Sequence, residues 1–211
     1  METLKFNKEF FLVKFPIIFP LIYAFILYQF PNFETQLIII TILLLAETHF
    51  GATWPFFLDK VNYKFIHENK INLILIPIGI IILCLLGFFL IKNIFYLIFF
   101  AANMYHVTRQ SFGVSKLYCK NITENKFQAH MIYFFNIVFF VIGFFRFFVN
   151  IIDDNIFFEL NIMILLILFS IFVYYLIRFG FSENFLTFVT GCLIFYPICF
   201  VSNPVHAIIM G

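Results

Sequence analysis

Seven apolar runs, each close to the length that crosses a bilayer and separated by short polar connectors, constrain this chain more than any other feature. They cover 11–30, 35–58, 71–91, 93–115, 128–149, 159–179 and 183–201. Roughly 20 apolar residues in a helix cross about 30 Å of hydrocarbon. Only helices and closed barrels satisfy their own backbone polar groups there. The expected fold is therefore all-α: a polytopic integral membrane helix bundle with seven complete transmembrane helices. Composition points the same way, at 64% hydrophobic and 11% charged, against about 45–50% and about 25% in soluble domains. A soluble globular domain, a disordered chain and a coiled coil are excluded. The 37 phenylalanines accompany abundant Ile, Asn and Lys. All four have AT-rich codons, so the Phe content reads as base composition and not as an aromatic binding site.

The connectors carry the charges, and the charges orient the chain. Lys5 and Lys8 precede the first run, Lys60, Lys64 and Lys70 follow the second, Lys116, Lys120 and Lys126 follow the fourth, and Arg178 ends the sixth. The alternate connectors hold Glu34, then Lys92, then Asp153 and Asp154. The positive-inside rule then places the N-terminus in the cytoplasm, with a bacterial inner membrane as the expected location. With a net charge of +2 and no basic block, nucleic acid is not an expected partner. Cys84, Cys119, Cys192 and Cys199 form no CxxC pair. Three lie in apolar runs and read as small hydrophobes. Beyond the seventh run, Ser202-Asn203-Pro204 has the form of a helix cap followed by Pro at the first helical position. Residues 205–211 then open another apolar stretch. The expectation is a single transmembrane domain over 1–211, ending at the start of an eighth helix.

Ionisable side chains inside membrane helices are costly and mark function by default. The second run holds Glu47 and His49, which project about 200° apart on a regular helix, with Gly51 and Pro55 able to break it. The fourth carries Asn103, His106 and Gln110 at i, i+3, i+7, with Arg109 beside them. The fifth opens on Gln128 and His130, and Asn136, Gly143 and Asn150 share a face suited to close helix packing. Arg146 has Asp153 or Asp154 as its expected partner, and His67 reads as solvated. By the orientation above, His49, His106 and His130 fall at similar depths. Imidazole is the commonest protein metal ligand, and His/carboxylate sets suit iron or zinc. His206 starts on the opposite side and joins them only through a re-entrant segment. The HxxxH and HxxHH clusters of desaturases are missing, so a desaturase-type di-iron centre does not fit.

The His49-Phe50-Gly51 element, together with the plan of short-looped helices and dispersed intramembrane histidines, resembles the Brp/Blh β-carotene dioxygenase family. The resemblance implies a polytopic protein with histidine-bound iron that cleaves a carotenoid double bond, with His49 as an iron ligand and His106 as a second.

Three readings stay open. The first is a membrane-embedded, histidine-ligated iron oxygenase acting on a lipophilic, isoprenoid or carotenoid substrate that enters from the lipid bilayer. His49, His106, His130 and His206 are its candidate metal ligands, and Glu47, Arg109 and Gln110 its candidate catalytic residues. The second is a proton-coupled transporter or permease subunit with Glu47, His49, Asn103 and His106 along its pathway. The third is a haem-binding membrane subunit with two axial histidines. Oligomeric state is not legible.

Overall fold

The computed structural model describes residues 17–43, 59–119, 121–149, 153–201 and His206. Every regular element among them is helical. In chain order these are α1 (Ile18–Gln29), a 3-10 turn at Pro31–Phe33, α2 (Glu34–Thr41), α3 (Tyr63–Glu68), a π turn at Ile71–Leu75 that runs into α4 (Ile76–Leu90), α5 (Lys92–Tyr118), α6 (Ile122–Phe144) continued by a π turn at Phe145–Val149, α7 (Asp154–Phe179), α8 (Glu183–Cys192) and a 3-10 turn at Tyr196–Cys199.

The fold is all-α, as expected, but the described residues do not show the seven expected spanning helices. Among the described residues three helices are long and apolar enough to cross a membrane: Ile71–Leu90, Ile122–Val149 and Asp154–Phe179. The others fall short for separate reasons. The first run is helical for only 12 described residues and is followed directly by Pro31, which cannot donate a backbone hydrogen bond. Much of the second run lies outside the described residues, and α2 ends at Thr41. The fourth forms the 27-residue α5, but its stripe from Asn103 to Ser111 makes it too polar to qualify. The seventh stops after Cys192, and the chain then takes a 3-10 turn at Pro197. The expected eighth helix falls on residues that are not described, apart from His206, which is helical and buried.

Helix starts also move. The fifth run opens six residues early, at Ile122, because Asn121 caps it, accepting from the backbone N–H groups of Thr123 (2.9 Å) and Glu124 (3.3 Å). Ser182 caps α8 by accepting from Phe185 N–H at 3.3 Å. Between α7 and α8 the chain turns at Gly180, whose φ of 82° favours glycine.

Two compact units divide the chain: residues 32–100, and residues 1–31 with 101–211. In the first, none of the residues of α4 is buried. A helix apolar on all sides and exposed on all sides suits a hydrocarbon surround. At its end Phe88 meets Phe95 and Tyr96 edge-on at 6.0 Å between ring centroids. Lys92 lies over Phe88 at 5.9 Å and over Tyr96 at 5.8 Å.

In the second unit α6 is the central element. It packs antiparallel to α7 and parallel to α8, with Phe135, Phe139, Phe157, Ile164, Leu168 and Phe188 in the core. Tyr175 of α7 stacks on Phe188 of α8 at 4.8 Å. Two glycines allow the close approach that membrane helices use. A Cβ at Gly191 would stand 2.8 Å from Ile132 Cδ1, and one at Gly143 would stand 3.0 Å from Ile198. The expected packing role of Gly143 is met, and so is the Arg146 pairing, at 3.5 Å to Asp154.

Gly191→Val should therefore separate α6 from α8 and lower stability by about 1–3 kcal/mol. Gly113→Val, where nothing lies within 4 Å of an added Cβ, should lower it far less. Thermal midpoints in detergent compare the two directly.

Candidate functional site

At 100° per residue, Glu124, Gln128, Asn136, Gly143 and Arg146 fall within about 120° of arc on α6. This face turns into the bundle, and each polar member finds its partners on a neighbouring segment. The result is a polar stripe along a helix long and apolar enough to cross a membrane, with a carboxylate at one end and a guanidinium at the other.

The carboxylate end is a closed network. Ser115 Oγ donates to Gln128 Oε1 at 2.5 Å. Gln128 Nε2 donates to the Tyr175 hydroxyl at 2.8 Å and to Asn184 Oδ1 at 3.0 Å. The Tyr175 hydroxyl and Asn184 Nδ2 both donate to Glu124 Oε1. Four helices thus meet through side chains alone, and Ser115, Gln128 and Tyr175 are fully buried. Glu124 is half-buried, and no Lys, Arg or His among the described residues lies within ion-pair distance of it. Its Oε1 accepts from two neutral donors instead, in the first turn of α6. Cys119 adjoins the network. Burial pushes its thiol up, a hydrogen bond with Asn184 opposes that rise, and the Glu124 charge adds to it.

The middle of the stripe is incompletely paired. Asn136 Nδ2 donates to Ile132 O (2.9 Å) and to Gly191 O (2.8 Å), leaving Oδ1 buried without a partner among the described residues. Across the bundle, Asn161 of α7 donates through Nδ2 to Cys199 O at 3.3 Å, and its Oδ1 is likewise unpaired. At the far end Arg146 Nη1 donates to Val201 O at 2.9 Å, and the guanidinium lies 3.8 Å from the Phe157 ring centroid.

The residues singled out in the sequence are scattered. Glu47 and His49 lie outside the described residues. His106, Arg109 and Gln110 are exposed, and Gln110 Nε2 donates to His106 Nε2 at 2.9 Å. His130 is exposed, and its Nδ1 donates to Lys126 O at 2.6 Å. His206 is 3% exposed and hydrogen-bonds through Nδ1 to the Tyr23 hydroxyl at 2.9 Å. The expected common depth of His106 and His130 does not appear. Since Ser115 faces Gln128 across antiparallel helices, His130 is level with Gly113, about 10 Å along the axis from His106 at 1.5 Å per residue. Among the described residues no three His, Cys, Asp or Glu side chains stand close enough to share a metal. The described histidines do not fit a common iron.

Glu124, Tyr175, Asn184 and Asn161 were not singled out in the sequence. Residues 116–127 read as a cytoplasmic connector because of their lysines. The overlooked mark is Asn121-Ile122-Thr123-Glu124, a cap with an acidic residue at the third helical position, which starts the helix before Glu124. Glu124, Gln128 and Asn136 then share one face.

Tyr175→Phe leaves a buried Gln128 donor and a Glu124 acceptor short of a partner, and should lower stability by about 1–3 kcal/mol, read from thermal melting in detergent. The buried, raised Cys119 thiol should be alkylated at least about tenfold more slowly in folded than in denatured protein, read by mass spectrometry of the Cys119 peptide.

No family model, curated protein or solved structure matches the chain.

Proposed function

We propose that this is an integral membrane permease subunit whose proton-coupled pathway follows the buried polar stripe of α6. The observation that supports it most is the run of Glu124, Gln128, Asn136 and Arg146 along the interior face of one spanning helix. Apolar side chains suffice for a purely structural membrane helix. Ionisable and amide groups facing a bundle interior are the usual material of proton and solute paths. Glu124 is the ionisable member. With the N-terminus cytoplasmic, it sits at the inner mouth, and Arg146 sits toward the outer surface. Tyr175, which accepts from Gln128 and donates to Glu124, links the carboxylate to the amides behind it. This differs from the pathway expected from sequence through Glu47, His49, Asn103 and His106: the first two lie outside the described residues, and Asn103 and His106 are exposed.

The iron-oxygenase reading, with its lipophilic substrate, rests on sequence alone. Of its ligand set the described residues supply three histidines that stand apart, and no step is derived through iron.

The test is transport by purified protein in pyranine-loaded proteoliposomes, challenged in turn with gradients of small organic cations, amino acids and sugars. At least one gradient should change the internal pH. Glu124→Gln should abolish the change, and Glu124→Asp should retain part of it. The absence of any response across the panel, or an unchanged response in Glu124→Gln, overturns the reading. Stoichiometric iron lost in His106→Ala would support the oxygenase in its place.

A further inference from the structure

Of the two unpaired amide oxygens, one belongs to the α6 stripe and the other to α7 across the bundle, and both residues are buried. Asn136 is 0% and Asn161 5% exposed. Their orientation is set by their partners. The carbonyls of Ile132, Gly191 and Cys199 can only accept, so each Nδ2 must face them, and each Oδ1 points the other way. A buried acceptor without a donor costs about 1–3 kcal/mol. Neither Asn is needed to fill space, because Leu would do so without that cost. Gly191, level with Asn136, is held small on a helix that packs closely.

We propose that Asn136 Oδ1 and Asn161 Oδ1 each bind an ordered water, and that these waters form two internal hydration sites of the pathway. Its functional meaning rests on the permease reading. The donor set favours water over a metal cation. An alkali cation needs several acceptor oxygens to replace its hydration shell, whereas each site offers one free amide oxygen. The charged end is no better, since Glu124 Oε1 is already engaged by two donors and only its second oxygen is left. A buried water makes about three hydrogen bonds, mostly to otherwise unsatisfied groups, and each free Oδ1 supplies one of them. With Gln128 level with Tyr175, Asn161 lies about 9 Å along the axis from Asn136 at 1.5 Å per residue. The buried Phe139 lies between them on the same face. The sites are thus two separate wet points and not one continuous column.

Water-edited solid-state NMR on the full chain in lipid vesicles, without any transport substrate, tests this. Magnetisation from water should reach the Asn136 and Asn161 side-chain amides quickly and the Phe139 ring slowly. Asn136→Leu should remove the first transfer and leave the Asn161 transfer in place, which separates a local site from general loosening. Two dry amides overturn the proposal, as does a Cγ shift at either Asn on exchanging sodium for potassium, which would mark a cation site. Wet amides alongside Glu124-independent transport leave the hydration sites standing and remove the permease reading. Dry amides alongside Glu124-dependent transport do the reverse.

Discussion

Inside a bilayer, a polar side chain that faces lipid has nothing to bond to, and that asymmetry sets the arrangement of α5 to α8. Phe and Ile are nearly as well placed against lipid tails as against one another, so apolar burial does little to choose which helix faces meet. Gln128 and Asn136 have no such freedom. Turning either outward would strand its amide in hydrocarbon, at a cost of several kcal/mol. The rotation of α6 is thus set by its polar stripe. Once Gln128 faces inward, Tyr175, Asn184 and Ser115 must come to it. Each such bond contributes only about 0.6 kcal/mol on average between membrane helices. The network's effect is on specificity, because the alternative rotations leave several groups unpaired together.

Packing follows from that choice. With the α6 stripe turned toward α8 and the turn after it, α6 meets α8 closely at Gly191 and meets Ile198 of that turn at Gly143. Tyr175 uses both its natures there: its ring stacks on Phe188 and its hydroxyl joins the network. The contrast within the chain is α4. It carries no polar side chain from Ile76 to Leu90, and none of its residues is buried. A spanning helix without polar groups has nothing that forces one face inward.

The sequence conveyed class more readily than detail. Helical fold and spanning capacity were legible because apolar length is a local property, as the agreement at 71–91 and 159–179 shows. The Arg146–Asp154 pair was legible because charge and proximity along the chain suffice to name it. What misled was depth. His106 and His130 seemed level when each was placed from its connector, but the register is set by Ser115 meeting Gln128, which no local pattern encodes. Glu124 was concealed by its lysine neighbours, because an interfacial charge and a half-buried, hydrogen-bonded carboxylate look alike until the helix start is fixed by Asn121. Asn161 stands two residues after Glu159 at the start of an apolar run, where polar residues read as interfacial, and its partner is a backbone carbonyl 38 residues away.

The central claim is that the stripe of α6 packs against α8 and the turn that follows it. Paired-cysteine cross-linking in membranes tests it, in a background with Cys84, Cys119, Cys192 and Cys199 replaced by Ser or Ala. Gly143→Cys with Ile198→Cys joins two positions whose side-chain space already meets at 3.0 Å, and a disulfide should form readily under mild oxidation. Val141, exposed on another face of α6, should not cross-link to position 198. Efficient joining from Val141, with none from Gly143, would mean that α6 is rotated and that its polar stripe does not face the bundle.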